Sequence, residues 1–201
     1  MIKNLKFKIK NSVRGITLIE ILVVVFIFVL LSGILVANFP KIRRQFALTR
    51  AVYKMAQDLR KTQDLGLSGK QMEGVKGYGV YINLNSLGNK KYIIYADRNN
   101  DSKYDALGVY CEQSPSDNQD CIVEAIDFSQ TELGIVINRI EGTTNNQQVD
   151  INFKPPNPTV TITDLSADIN NPRVQIIFAL EFDQLTYRTV LVNTSGLIEI
   201  K

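Results

Sequence analysis

Glu20 is the residue whose placement most constrains the chemistry of this chain. It stands inside Arg14–Ala37, RGITLIEILVVVFIFVLLSGILVA, a run otherwise almost free of charge. A charged side chain in a membrane-spanning helix costs roughly 2.5–3.5 kcal/mol at the centre and less towards an end, so it normally has a partner of opposite sign. The chemistry on offer is ion pairing in a low dielectric. There a matched charge offsets desolvation, and removing one partner strands the other at a cost of several kcal/mol.

Other chemistries fall away on residue type. The chain contains no histidine, which removes Ser-His-Asp and Cys-His nucleophile systems and every His-ligated metal centre. The glycines of LGLSG and VKGYGVY lack the Lys and Ser or Thr that a phosphate-binding loop needs at fixed spacing. The carboxylate pairs Asp164 with Asp168 and Glu181 with Asp183 are four and two residues apart in polar or alternating stretches, and read as solvated surface rather than as a glycosidase pair. No enzymatic activity is expected.

Two further groupings bear on structure. Asp97, Asn99, Asp101 and Asp105 place oxygens at the first, third, fifth and ninth positions of a calcium-type loop. Ser102 stands where the sharp-turn Gly belongs and Gly108 where the bidentate Glu belongs, so an ion would need another oxygen, such as Glu112. Calcium there would be structural, and no other cofactor is expected. The competing reading is a polar turn whose Asp and Asn side chains cap their own backbone. Cys111 and Cys121 flank EQSPSDNQD and form a candidate disulfide, which would stabilise by roughly 2–3 kcal/mol, chiefly through the unfolded chain. Two cysteines cannot build a four-ligand zinc site.

The elements that must position these groups follow from patterning. The stretch ahead of Gly15 carries Lys3, Lys6, Lys8, Lys10 and Arg14 and no acid, a signal for retaining that end in the cytoplasm. Residues 16–39 are apolar over a length that crosses about 30 Å of hydrocarbon, so the rest of the chain is expected outside the cytoplasm, where cysteines oxidise. A cleavable secretory signal and a plain signal anchor are the rival readings. The first has a shorter apolar core, and the second gives Glu20 no role. Subtracting the five leader cations from 23 Lys plus Arg leaves 18 against 20 Asp plus Glu, a net of −2. Nonspecific nucleic-acid binding therefore loses its compositional support. Lys41, Arg43, Arg44, Arg50, Lys54, Arg60 and Lys61 make one stretch locally basic, read as a solvated face.

From residue 40 to about 70 an amphipathic helix continues, with Ile42, Phe46, Thr49, Val52, Tyr53, Ala56, Leu59 and Gln63 as its stripe. Residues 16 to about 68 make a rod about 80 Å long at 1.5 Å per residue, with Gly33 and Pro40 as bend candidates. Residues 75–201 read as strands near 77–83, 91–96, 122–128, 134–140, 149–153, 159–163, 174–180, 185–192 and 196–201. The expected fold class is α+β: the long N-terminal helix, half transmembrane and half amphipathic, packed on an antiparallel sheet domain.

RGITLIE before an apolar helix resembles the cleavage and methylation motif of type IV prepilins and type II secretion pseudopilins. The resemblance implies cleavage by a prepilin peptidase after Gly15, which makes 1–15 a leader, frees the amine of Ile16 for N-methylation and makes Glu20 the fifth residue of the mature chain. The family's usual first residue is Phe; here it is Ile. VDINFKPPNPTVTIT followed by TYRTVLVNTSGLIEIK, with a hairpin turn at Asn193–Gly196, is similar to the C-terminal half of the H-type minor pseudopilin and FimT group. The implied role is a structural subunit, a minor pilin or pseudopilin, held in the inner membrane and then packed into a filament, with Glu20 setting register against the ammonium of a neighbouring copy. Implied partners are other pilins, the peptidase, and an inner-membrane platform with its assembly ATPase. A major pilin, a DNA-capturing pilin-like subunit and a signal-anchored adhesin are the alternatives.

Overall fold

The computed structural model describes residues 15–68, 73–105, 108–113, 118–155, 160–164 and 172–201. Among the described residues one α-helix, α1 (Leu18–Leu67), is followed by nine strands: β1 (Gly77–Asn83), β2 (Lys91–Asp97), β3 (Cys121–Asp127), β4 (Ile135–Glu141), β5 (Gln148–Phe153), β6 (Val160–Thr163), β7 (Arg173–Leu180), β8 (Asp183–Asn193) and β9 (Ile198–Ile200), with a short 3-10 turn at Cys111–Gln113 before β3. The chain divides into two units, one ending at Ile42 and one running from Arg43 to Lys201.

In the first unit every described side chain is exposed. The helix there is long and apolar enough to cross a membrane. A helix apolar all round needs an apolar surrounding rather than one covered face. Pro40 lies inside the helix without breaking it, although proline removes one backbone donor. Just before it, the Asn38 side chain donates to the Ile34 carbonyl at 2.9 Å.

In the second unit α1 buries Leu48, Val52, Met55, Leu59, Thr62 and Gly66, flanked by Ala47, Ala51 and Ala56. Alternating steps of four and three residues keep this row on one side of the helix. The stripe expected from the sequence is therefore out of phase at its start: Phe46 and Tyr53 are 61% and 59% exposed, and Thr49 is half-buried. Small alanines let the sheets approach α1 closely, and the bulky aromatics point away.

All nine expected strands are present, with no end shifted by more than two residues. They form two antiparallel sheets rather than one, in the orders β3-β2-β1-β5-β6 and β4-β7-β8-β9. A helix about 10 Å across covers only about two strands spaced about 4.8 Å apart. Splitting the strands lets both sheets turn a face to one core, which joins α1 side chains to Val80, Ile82, Ile94 and Phe153 of the first sheet and to Ile176, Phe178, Val190 and Val192 of the second.

The first sheet is covered on its other face too. β1 and β5 are buried at every position, because the segment after β2 folds back over them. Tyr104 stacks on Tyr81 and Tyr95 with ring centroids 4.9 and 5.4 Å apart. The last turn is built as expected: Asn193 Oδ1 accepts from the backbone N–H of Ser195 and Leu197, and Gly196 takes φ of 84°, which favours glycine.

Candidate functional site

Gly15, Ile16 and Thr17 precede the helix in an exposed, non-helical stretch. Among the described residues nothing lies within 4 Å of where a Cβ at Gly15 would sit, and Gly15 and Ile16 are both exposed. Thr17 caps the helix: its Oγ1 and carbonyl accept from the Glu20 N–H at 3.3 and 3.1 Å. The T-x-x-E spacing of Thr17 and Glu20 is that of a capping box. The signal is present in the sequence, inside a run that reads foremost as a membrane span.

Glu20 thus occupies the first turn of α1, where the helix dipole favours an acid. The same dipole disfavours a cation. An ammonium created at Ile16 would sit against the positive end of the helix, and a carboxylate is what that charge needs. The arrangement can hold one exposed acid at the head of an apolar helix and pair it with an amine; it offers no nucleophile or proton relay.

The Asp97–Asp105 loop is held by donors. Asp97 is fully buried and accepts from the backbone N–H of Asn100 and Ser102 at 2.6 and 3.0 Å and from the Asn152 amide at 3.2 Å. The Asn99 amide donates to Asp101 and Asp105 at 3.0 Å each. Lys154 Nζ reaches the Asn100 carbonyl, Asn100 Oδ1 and Asp97 Oδ2 at 2.9, 3.0 and 3.4 Å. The oxygens a calcium ion would use are in this arrangement turned to amides and an ammonium, and among the described residues no three acidic or Cys side chains gather into a metal-holding group. Glu112 is exposed.

Beneath the loop lie two acids that the sequence did not single out. Asp150 accepts from the Tyr104 N–H at 2.9 Å, and burial, with Asp101 and Asp120 nearby, raises its pKa to about 8. Asp120 accepts from the Arg98 N–H at 2.9 Å, and burial, with Asp97, Asp105 and Asp101 nearby, raises it to about 7. Cys111 and Cys121 are joined in a disulfide with Cα atoms 4.9 Å apart.

Asp164 is buried, not solvated as expected, and accepts from the Thr144 N–H at 2.6 Å; Asp168 lies outside the described residues. Glu181 pairs with Lys90 at 3.1 Å, and Asp183 accepts from the Thr186 hydroxyl at 2.7 Å. On α1, Arg50 pairs with Glu132 at 2.8 Å, Lys54 with Asp58 at 2.6 Å and Lys61 with Glu124 at 2.5 Å, so much of the basic stretch is already answered by acids.

Residues 10–36 match the family described as Prokaryotic N-terminal methylation motif. No curated protein and no solved structure matches the chain.

Proposed function

We propose that the chain is a pilin-like filament subunit, and more narrowly a minor pilin or pseudopilin of the H-type group, that works by assembly rather than catalysis. The observation that carries this reading is the methylation-motif match over residues 10–36, falling on an exposed Gly15–Ile16 bond with Glu20 in the first turn of a membrane-length helix. A prepilin peptidase cuts after Gly15, and Ile16 is then N-methylated. The leader cations stay in the cytoplasm and the β-rich domain lies outside it. The apolar half of α1 then exchanges lipid for neighbouring helices in the filament. The Ile16 ammonium of one copy meets Glu20 of the next and fixes their stagger. Other pilins, an inner-membrane platform and its ATPase complete the partner set.

The ion pairs along α1 weigh against the DNA-capture alternative, since Arg50, Lys54 and Lys61 face acids. Processing is tested by intact-mass analysis of the protein recovered from its native host. The expected mature chain begins at Ile16 with one added methyl group. Recovery of an intact leader overturns the reading, and so does filament assembly undiminished by Glu20→Gln.

A further inference from the structure

We propose that the end of the β-rich domain nearest Arg43 is a membrane-docking surface, seated at the lipid headgroups of the bilayer that holds the apolar helix. This rests on the reading of residues 16–39 as a span.

The surface belongs entirely to the second unit. Arg44 lines one groove with Leu133, Gly134, Leu180, Phe182 and Asp183. The β7–β8 tip is tied to the turn before β4 by the Glu181 N–H donating to the Gly134 carbonyl at 2.8 Å, and that turn is tied to α1 by Arg50 and Glu132 at 2.8 Å. Three chain segments are thereby fixed together beside Arg44.

What they present is apolar. Phe182, Leu185 and Leu133 are 85%, 91% and 76% exposed, and Tyr187 and Phe46 are also exposed. Tyr187 pairs with Ala179 next to the tip, and the β7–β8 register shifts between Ala179 and Leu180, which leaves Leu185 in the irregular stretch of β8. Side chains this apolar at a loop tip are unfavourable in water, and aromatic and aliphatic residues of this kind favour the membrane interface.

Charge and connectivity select lipid as the occupant. Glu132 and Glu181 are already paired with Arg50 and Lys90, which leaves Arg44 and Arg188 as exposed cations on the same segments against one exposed carboxylate, Asp183. Cations flanking exposed apolar side chains fit an anionic headgroup layer. Arg44 follows Phe39, the last residue of the apolar span, by five positions, about 8 Å of helix. Arg44 itself is therefore within reach of the headgroup layer.

The chain contains no tryptophan, so one introduced indole reports alone. Phe182→Trp, Leu185→Trp, Phe28→Trp and Tyr110→Trp are each made in the full chain, reconstituted into vesicles of equal parts phosphatidylcholine and phosphatidylglycerol with brominated acyl chains. Tyr110 bridges to Ile122 at the opposite end of β3 and is the solvent control. The expected result is quenching of the indoles at positions 28, 182 and 185, at least about twofold stronger at 182 and 185 than at 110, and weaker at 182 and 185 when phosphatidylglycerol is omitted.

Quenching at 28 with none at 182 and 185 overturns docking and leaves the span intact. Absence of quenching at all four overturns the span and docking together. A blue shift at 182 that grows with protein density without quenching assigns the surface to a second copy and also overturns the proposal.

Discussion

Tyr92 on β2 donates its hydroxyl to Asp58 Oδ2 of α1 at 2.6 Å, inside the core and away from water. Burial and the neighbouring carboxylate push the tyrosine well above its usual range, so it remains a donor at any physiological pH. The other oxygen of Asp58 takes Lys54 Nζ at 2.6 Å. Sheet and helix are thus joined by a charge-assisted bond at a fixed register along α1. Tyr92→Phe keeps the ring beside Phe128, with centroids 6.5 Å apart, and removes only the donor. It is expected to lower stability by about 1.5–3 kcal/mol, read as a shift in the urea midpoint at constant slope. A loss below about 0.5 kcal/mol would show that the carboxylate finds water there.

Asp150 and Asp120 give stability a slope at neutral pH. Unfolded, both ionise near 3.8; folded, they ionise near 8 and 7. Between those limits the folded chain holds protons that the unfolded chain has released. Their stabilising contribution is whole below about pH 4, is lost as pH rises through 7 to 8, and is level above. Asp150→Asn keeps an acceptor for the Tyr104 N–H and cannot ionise. Its stability relative to the parent should rise steadily from pH 4 to pH 8, and a constant difference across that range contradicts the assignment.

The strands were legible because β-branched and aromatic runs alternate with Gly, Asn and Asp turns, and those signals are local. Their division into two sheets was not, since the choice of β7 rather than β3 as the neighbour of β4 is made by the shared core. The helix phase failed at Phe46 and Tyr53 because hydrophobicity favours large residues, whereas close packing on α1 selects Ala47 and Ala51. Glu20 stands out by type and placement alone, whereas Gly15 and Ile16 are marked only by the resemblance of RGITLIE to a prepilin motif. Thr17 had a local signal that the membrane reading masked, and Lys154 had none, being 54 residues from the Asn100 it binds.

Lys154 supplies the positive charge of the Asp97 loop from within the chain. Its ammonium bonds Asn100 twice and lies 3.4 Å from the buried Asp97 carboxylate. Lys154→Met is expected to cost about 1–2 kcal/mol, because hydrogen bonds to a charged donor are lost beside a buried acid. Excess calcium and excess EGTA should leave the melting temperature of the parent chain within about 1 °C, since a ligand stabilises only by differential binding to the folded state. A calcium-dependent rise in melting temperature would instead assign the loop to the ion.

Gly66 sits in the last turn of α1 against β5, and there close approach outweighs helix propensity. A Cβ at this position would stand 2.7 Å from the Phe153 carbonyl oxygen and 2.9 Å from the Phe153 Cβ. Alanine is about 1 kcal/mol the better residue in an exposed helix, so propensity alone predicts a gain. The obstacle here is largely backbone of a strand paired on both sides, with β1 and with β6, and relieving it requires the helix end and β5 to part. Overpacking of this kind costs about 1–3 kcal/mol. Gly66→Ala should therefore lower the melting temperature, while alanine at the exposed Gln57 of the same helix leaves it near the parent value. A melting temperature unchanged or raised by Gly66→Ala would mean that α1 and β5 are not in contact at this point.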